Sequence, residues 1–348
     1  GSPTRLWVVP KVTVAIATYN GKHLLATVLE SLQHQTYTDF RTVVVDDASA
    51  DGTVEWMAER WPDVRVVAHA ENRGVAAAFN SCVEAASGEY LLLLNNDVEL
   101  DPGCIAALVA DLQSHPDAAQ AGAKLLDFSR RDLLDGTGDV YSWAGLAYRR
   151  GQGESDRGQY DGLRDVFGAC GAVALYRSGA LATVGGFDER FFALCEDVDW
   201  SFRARLAGFE CRYVPEAVAY HVGSASLGPR VSDFTLYHNW RNQIWVVVKN
   251  YPSSALALHA FDLLLGQLAT LLVALRLRTL RTLLRAWRDA LRELRPVLAQ
   301  RRAIQGVRRS GRSELEPVIE GSLRRLRWWL LGPGRTASVA QVPPPNSR

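Results

Sequence analysis

Short apolar runs alternate with amphipathic stretches through about the first hundred residues, and this alternation constrains the fold more than any other feature. The apolar runs are short and rich in β-branched or leucine side chains, which predicts buried strands at 12–17, 42–45, 64–68 and 90–94. The stretches between them have apolar residues at helical spacing, which predicts helices at 23–35, 53–59 and 74–86. Strands and helices that alternate in this way form βαβ units, so the sequence predicts an α/β fold with a mostly parallel sheet flanked by helices.

Polar residues follow three of the four predicted strands. The carboxyl ends of parallel strands meet at one edge of a sheet, and ligands bind there. We therefore expect the three polar clusters to face one crevice. They are Thr18-Tyr19-Asn20, Asp46-Asp47 and Asn95-Asn96-Asp97.

The loop after the first strand argues against two common kinds of nucleotide site. It reads TYNGKHLL and holds a single glycine, whereas a dinucleotide-binding loop needs GxGxxG and a phosphate-binding P-loop needs its own glycine pattern. A nucleotidyltransferase is disfavoured for the same reason. Carboxylates at a nucleotide crevice repel phosphates unless a divalent cation lies between them. The sequence therefore predicts a crevice that binds a nucleotide together with Mg²⁺ or Mn²⁺.

The tripeptide Asn95-Asn96-Asp97 is the strongest candidate for the cation site, because it directly follows an apolar strand. Its oxygens are hard ligands of the kind that suit a divalent cation bridging a diphosphate. A simple β-turn also favours Asn and Asp. Asp46, at the end of a neighbouring strand, favours the cation.

A second acidic cluster brings Glu196, Asp197 and Asp199 together, with Trp200 beside them. Carboxylates that lie close together raise one another's pKa, which brings one of them into range to accept a proton from a hydroxyl. Acidic residues also suit the first turn of a helix, where they face exposed backbone amides. The two explanations are compatible, and the cluster is a candidate for the general base.

Residues 11–250 resemble the family 2 inverting glycosyltransferases, whose catalytic domain is a nucleotide-binding α/β sheet called the GT-A fold. The resemblance rests on six motifs that occur in family order: VAIATYN, VVVDDASADGT, ENRGVAAAFN, LLLLNNDVEL, GGFDERFFALCEDVDWSFR and AYHVGSAS. Within the family, the chain looks most like bacterial rhamnosyltransferases that use dTDP-L-rhamnose in cell-envelope polysaccharide assembly.

This resemblance implies a role for each matched residue. Asp197 would be the catalytic base, with Glu196 and Trp200 on the acceptor side. The metal would be held by Asp97, Asn95 and His221, and Asn95 is a departure from the family's Asp-x-Asp motif that predicts weaker binding. The nucleotide sugar would be held by Thr18, Tyr19, Asn20, Asp46, Asn72, Gly74, Asn80, Asn96 and Asp97, with Asp46 on an imide-bearing base.

The implied reaction is a single displacement in which the base takes a proton from an acceptor hydroxyl while its oxygen attacks the anomeric carbon. A cation offsets the charge on the departing diphosphate, and the configuration inverts. The expected donor is dTDP-L-rhamnose, with UDP-galactofuranose and UDP-hexoses left open, and the expected acceptor is a polyprenyl-diphosphate-linked saccharide. A non-catalytic sugar-nucleotide binding protein is the remaining alternative, which the presence of Asp97 and Asp197 disfavours.

Charge divides the chain near residue 251. Residues 251–348 hold 17 arginines and six acidic residues, a net charge of +11, whereas residues 1–250 carry a net charge of −10. We therefore expect a catalytic domain at 1–250, a helical, arginine-rich extension at 251–335 and a disordered tail at 336–348.

The extension has leucines spaced by three and four residues over 277–298, with an arginine one position behind most of them, and a further basic aromatic cluster at 324–329. Such a stripe is typical of a helix that lies on an anionic membrane surface. Packing on the catalytic domain, or a homodimeric coiled coil, fits the same spacing. Aromatic residues suited to base stacking are few, so a nucleic-acid partner is not expected.

Three features suggest where the protein resides. The five cysteines form no CxxC pair, which predicts neither a disulfide framework nor a structural zinc site and indicates a reducing compartment. No signal peptide is visible, and the apolar run 263–275 falls short of the ~20 residues that span a bilayer. We expect a cytoplasmic protein that is peripheral on the inner face of the cell membrane.

Overall fold

The computed structural model describes residues 10–223 and 231–321. Its strands are β1 (Val12–Thr18), β2 (Phe40–Asp46), β3 (Arg65–Ala68), β4 (Tyr90–Asn95), β5 (Val98–Leu100), β6 (Ala118–Asp127), β7 (Leu134–Gly136), β8 (Asp139–Ser142), β9 (Ala147–Arg149), β10 (Val173–Arg177), β11 (Glu210–His221) and β12 (Ile319–Glu320). Its helices are α1 (Lys22–Gln33), α2 (Thr53–Arg60), α3 (Val75–Ala85), α4 (Cys104–Ser114), α5 (Ser178–Val184), α6 (Glu196–Leu206), α7 (Asp233–Asn250), α8 (Ser253–Leu258), α9 (Ala260–Arg276), α10 (Leu280–Arg292), α11 (Leu294–Gly306) and α12 (Arg312–Leu315).

A nine-stranded sheet forms the centre of the molecule, in the order β3-β2-β1-β4-β10-β6-β11-β5, with β7 paired to β6. The strands β3, β2, β1 and β4 are parallel, as the alternation of strands and helices predicts. β10 runs antiparallel to both β4 and β6, so the sheet is mixed beyond its first four strands. The predicted α/β fold is confirmed, and helices flank the sheet.

Both faces of the central strands are buried, which explains why their sequences are continuous apolar runs. Along β4, Leu92 and Leu94 belong to the hydrophobic cluster on one face, and Leu91 and Leu93 belong to the cluster on the other. The side chains alternate because successive residues of a strand point to opposite faces. A strand buried on both sides ends where its first polar residue, Asn95, emerges.

The chain is irregular just before β10, which covers only Val173–Arg177. The preceding residues make isolated bridges, such as the one between Asp139 and Gly168, instead of a continuous ladder. This irregular path carries Cys170 and Gly171 past the cavity described below.

The described part of the chain beyond residue 250 is mostly helical and packs closely on the preceding residues. A third hydrophobic cluster joins Tyr141 and Phe202 to Val297 and Ile319, on either side of the boundary expected near residue 251. A small three-stranded sheet, β12-β8-β9, adds a backbone connection, because β12 pairs in parallel with β8.

The repeat predicted over 277–298 is divided into α10 and α11. Leu283, Ala286 and Ala290 are buried on the side of α10 that packs on α7, while Leu284 and Leu291 of the predicted stripe are exposed. Packing against α7 therefore accounts for one side of α10.

No helix within 10–223 or 231–321 combines the length and apolarity that crossing a membrane requires. All five cysteines are free and buried. The basic aromatic cluster at 324–329, the expected tail at 336–348 and the end of the AYHVGSAS motif lie outside the described residues.

Candidate active site

A cavity of about 530 Å³ opens where β1 and β4 end, and it gathers most of the predicted site residues. Asp97 and Asp197, which are far apart in the sequence, both line it. The predicted residues on its wall are Thr18, Tyr19, Asn72, Gly74, Asn95, Asn96, Asp97, Glu196, Asp197 and His221.

The parallel pairing of β1 and β4 brings two of the polar clusters together. Ala17 is opposite Asn95 in the register, so the residues that follow each strand meet at the same edge. The Asn96 amide donates a hydrogen bond to the Thr18 hydroxyl over 2.8 Å, and both side chains are buried. This bond fixes one wall of the cavity.

Two further buried side chains, Asp97 and His221, line the cavity, and buried Asp135 lies behind His221. His221 ends β11, which pairs with β5 just after Asp97. The His221 Nε2 atom lies 3.3 Å from an Asp97 carboxylate oxygen, and Nδ1 lies 2.7 Å from an Asp135 oxygen. Burial lowers the pKa of His221, but hydrogen bonds to Asp135 and Asp97 raise it by more, so that it lies above its ordinary value.

This arrangement fits a divalent cation. When neutral His221 donates its Nδ1 proton to Asp135, the Nε2 lone pair faces the Asp97 carboxylate, and two acceptors then approach each other. A divalent cation held by Asp97 and His221 would satisfy both, and a carboxylate behind a ligating histidine is a common supporting arrangement at metal sites. Across residues 10–223 and 231–321, no group of three or more His, Cys, Asp or Glu side chains is placed to hold a metal. The side chains that could hold a cation are Asp97 and His221, and the amide of Asn95 lines the same cavity.

Asp197 lies in the first turn of α6, and its carboxylate is held in place by backbone amides. One oxygen accepts a hydrogen bond from the Gly171 amide at 2.9 Å, and the other accepts one from the Val198 amide at 2.8 Å. A side chain at Gly171 would start only 3.0 Å from the Asp197 oxygen, so glycine keeps this approach open. Each oxygen retains a further lone pair for a ligand.

Further acidic residues surround Asp197. Burial raises the pKa of Glu196 to about 8, and the charge of Asp197 adds to the shift. Burial and Asp197 also raise the pKa of Asp139 well above its ordinary range. Arg149, which lines the cavity and forms an ion pair with Asp135, supplies compensating positive charge. With a pKa near 8, Glu196 is largely protonated at neutral pH, and Asp197 beside it is half-buried at the cavity wall.

Of the adjacent residues Asp46 and Asp47, only Asp47 lines the cavity, whereas the sequence-based prediction places Asp46 on the base. Asp47 lines the cavity and accepts hydrogen bonds from the Arg73 and Gly74 amides, at 2.9 and 2.8 Å, and from the His69 ring. Asp46 is buried, accepts a bond from the Ser49 amide and does not line the cavity.

Gly74 is required at its position. Its φ of +86° is unfavourable for other residues, and an added Cβ would lie 2.5 Å from the Phe192 carbonyl oxygen. The close contact brings the loop before α3 against Phe192, another residue of the cavity wall.

Three other predicted site residues do not line the cavity. Asn20 accepts a hydrogen bond from the Ala50 amide and braces two loops. Asn80 bonds the backbone of Phe187 and the Glu189 side chain. Trp200 is fully buried in the core and donates to the Gly185 carbonyl, so its side chain is not available to an acceptor.

Sequence reasoning missed Asp47, Asp135, Asp139 and Arg149. Asp47 is adjacent to the residue that was chosen, and only the end of β2 decides which of the two faces the cavity. The other three lie on β7, β8 and β9, short strands without a clear apolar period. The available signal was the pair of aspartates in the sequence DGTGD, each two residues from Thr137.

Comparison with known proteins gives a consistent result. Residues 13–185 match the sequence model of Glycosyl transferase family 2. The chain is 29% identical over 242 residues to the N-acetylglucosaminyl-diphospho-decaprenol L-rhamnosyltransferase of Mycobacterium tuberculosis strain H37Rv, an alignment that covers 62% of this chain and 77% of that protein.

Two solved structures are similar in fold. GalNAc-T7 with UDP, GalNAc and Mn²⁺ superposes with a TM-score of 0.57 at 17% identity, covering 71% of this chain and 49% of that one. The mannosyltransferase PcManGT from Pyrobaculum calidifontis, in complex with GDP-Man and Mn²⁺, gives a TM-score of 0.52 at 19% identity and covers 86% of each chain.

The chain thus belongs to family 2 of the glycosyltransferases, through the domain at residues 13–185. Its fold resembles that of the GT-A glycosyltransferases, and its curated relatives include a rhamnosyltransferase.

Proposed function

We propose that this glycosyltransferase moves L-rhamnose from dTDP-L-rhamnose to a hydroxyl of a polyprenyl-diphosphate-linked saccharide, with inversion at the anomeric carbon. The observation that carries the proposal is that Asp97 and Asp197 line one cavity. Glycosyl transfer needs charge stabilisation at the leaving diphosphate and a proton acceptor for the attacking hydroxyl. Asp97 is suited to the first task through a bound cation, and Asp197 is suited to the second.

Asp197 is the proposed general base. Its two backbone hydrogen bonds, from Gly171 and Val198, hold the carboxylate in place. Neighbouring Glu196 is neutral at physiological pH, so it can donate a hydrogen bond to an acceptor hydroxyl or to the sugar. Asp197 then accepts the hydroxyl proton as the new glycosidic bond forms, and with no enzyme nucleophile the displacement is single.

At the other end of the cavity, Asp97, His221 and the Asn95 amide are the residues that would hold a divalent cation. When bound, such a cation offsets the negative charge that develops on the leaving diphosphate. Asp135 keeps His221 oriented for this task through the bond to Nδ1. Asn96 and Thr18 form the rigid wall beside it.

The nucleoside end is assigned to Tyr19, Asn72 and Asp47. Asp47 replaces Asp46 as the proposed acceptor for the imide N–H of thymine or uracil, because its carboxylate reaches the cavity. Its existing bonds to backbone amides orient the carboxylate without using every lone pair.

The choice of donor and acceptor is supported by the mycobacterial relative, whose name specifies L-rhamnose and a decaprenyl diphosphate carrier. A polyprenyl carrier holds the acceptor at a membrane, and the net charge of +11 beyond residue 250 suits an anionic cytoplasmic leaflet. The proposal places the enzyme there as a peripheral protein.

A thermal-shift screen tests the donor. A ligand that binds the native state raises its melting temperature, so dTDP-L-rhamnose with Mn²⁺ should give a larger shift than UDP-sugars with the same metal. If a UDP-sugar gives an equal or larger shift in melting temperature, dTDP-L-rhamnose is not the preferred donor and the proposal is wrong on this point.

The Asp197→Asn variant tests the mechanism. We expect release of nucleoside diphosphate to fall by about 10²–10⁴-fold, because the proton acceptor is lost, while the donor-induced thermal shift persists. Asp117→Asn, an exposed carboxylate outside the cavity, is the matched control and should keep normal turnover. Undiminished turnover of Asp197→Asn would show that Asp197 is not the general base. If the wild-type protein binds the donor but never releases nucleoside diphosphate, it is a sugar-nucleotide binding protein and not an enzyme.

A further inference from the structure

The exposed side of α9 is an apolar stripe that nothing in the described residues covers. Phe261 is 68% exposed and Leu264 is 64% exposed, while Leu268, Leu272 and Leu275 lie between 46% and 51%. These residues are three or four positions apart, which places them on one side of the helix. A folded protein seldom presents five large apolar side chains in one row to water without a binding partner.

The opposite side of α9 is held firmly against the rest of the protein. Gly266 packs so closely that an added Cβ would lie 2.1 Å from the Ala144 carbonyl oxygen. His259, just before the helix, stacks on Trp143 with ring centroids 4.2 Å apart. Because the opposite side of α9 is closely packed, the helix cannot rotate to bury the apolar stripe, which therefore stays exposed.

Positive charge borders the stripe at the carboxyl end of α9. Arg276 and Arg278 lie within three residues of Leu275, and Arg281 is the second residue of α10; all three are exposed. Within 10–223 and 231–321, none of the ion pairs involves any of the three. The acidic residue near the other end, Asp262, is bonded to His259 over 2.8 Å. An apolar stripe with cations at its edge complements a lipid surface whose headgroups are anionic.

We propose that α9 lies in the surface of an anionic bilayer, with Phe261, Leu264, Leu268, Leu272 and Leu275 among the acyl chains and Arg276, Arg278 and Arg281 on the headgroup phosphates. This inference deepens the proposed function, since it names the surface that brings the enzyme to a lipid-linked acceptor. It also moves the contact from the repeat at 277–298, one side of which packs on α7, to the preceding helix.

The first test measures partition of the full-length protein onto vesicles by co-sedimentation. Vesicles that contain phosphatidylglycerol should bind the protein, and vesicles of phosphatidylcholine alone should bind it more weakly. The double variant Leu264→Glu/Leu268→Glu should lower the partition coefficient at least about tenfold, because two apolar side chains become charged. The matched control Leu163→Glu changes a leucine that is 52% exposed on the catalytic domain, and it should bind as the wild type does.

The second test reports on the helix itself. An environment-sensitive dye at Leu268→Cys should shift its emission to the blue only when phosphatidylglycerol vesicles are added, and a dye at Leu163→Cys should not respond. The five native cysteines are buried, which favours labelling of the introduced thiol.

Three results would overturn the proposal: equal partition of the double variant and the wild type, equal binding to the two kinds of vesicle, or a dye at position 268 that is already shifted without lipid. The last result would mean that a second copy or another segment of the chain covers α9. Because the assays contain neither donor nor acceptor, their failure leaves the proposed glycosyl transfer standing. Failure of glycosyl transfer would likewise leave the vesicle results unchanged.

Discussion

Replacement of Asp135 by asparagine isolates the contribution of the carboxylate behind His221. Asparagine keeps the size of the side chain and can still accept the Nδ1 proton through its amide oxygen, so the imidazole orientation is preserved. The negative charge 2.7 Å from Nδ1 is lost, and Arg149 loses its ionic partner. A metal-ligating histidine without its supporting carboxylate becomes a weaker ligand.

The size of the effect follows from the kind of site. Loss of such a supporting group lowers metal affinity by about 10- to 100-fold, or roughly 1.4–2.8 kcal/mol. Asn95 stands where the family motif has a carboxylate, so the proposed metal site has little negative charge. We therefore expect the loss of affinity to lie near the upper end of this range. Titration of the protein with Mn²⁺, followed by the electron paramagnetic resonance signal of the free ion, measures the affinity without any turnover.

The control must also remove a buried carboxylate from an arginine. Asp111→Asn does so, because Asp111 bonds Arg212 at 2.6 and 3.1 Å outside the cavity. Both variants should lose stability, by up to about 3 kcal/mol, but only Asp135→Asn should lose Mn²⁺ affinity. Unchanged Mn²⁺ binding by Asp135→Asn, at a concentration where His221→Ala no longer binds, would refute the supporting role.

Three further predictions concern the rest of the cavity. The pKa of Glu196 is raised from 4.5 to about 8, so the unfolded chain ionises first and stability falls as pH rises through this range. In urea unfolding, Glu196→Gln should therefore be more stable than the wild type at about pH 9, by a few kcal/mol at most. At about pH 4 the two proteins should differ little, and a stability gain that does not depend on pH would contradict this reasoning. Gly74→Ala should cost about 1–3 kcal/mol more than Gly185→Ala in the same assay, because both glycines have positive φ but only the first would clash. Asp47→Asn should weaken donor binding in a thermal-shift titration more than Asp46→Asn does, and the reverse order would restore Asp46 as the base contact.

The sequence predicted the parts of the fold that have strong periodicity. The run of four leucines before Asn95 is apolar at every position because both faces of β4 are covered, and its end is marked by the first polar residue. Parallel pairing then places Thr18 and Asn95 at one edge, and this could be reasoned without coordinates. The sequence also pointed to Glu196 and Asp197, which line the cavity, because these acidic residues adjoin one another in the chain.

Other parts of the site depend on tertiary contacts that leave no local pattern. Whether Asp46 or Asp47 faces the cavity depends on where β2 ends, a shift of a single residue. Asp135 is 86 residues from His221 along the chain, and only the pairing of β6 with both β7 and β11 brings them together. Trp200 was grouped with the acidic residues beside it, but a helix turns by about 100° per residue and carries it into the core.

The strand β12 has a consequence for how the enzyme must be handled. Ile319 pairs with Tyr141, the Trp143 amide bonds the Glu320 carbonyl at 3.0 Å, and the Tyr148 hydroxyl bonds its carboxylate at 2.6 Å. The chain after residue 250 thus returns to the hairpin that carries Arg149 into the cavity. Cleavage at the expected domain boundary would separate residues that share one hydrophobic cluster, so residues 1–250 should not remain folded as an intact fragment. The helices beyond residue 250 and the cavity should therefore unfold in one transition, and point variants, rather than shortened chains, are the way to separate their proposed roles.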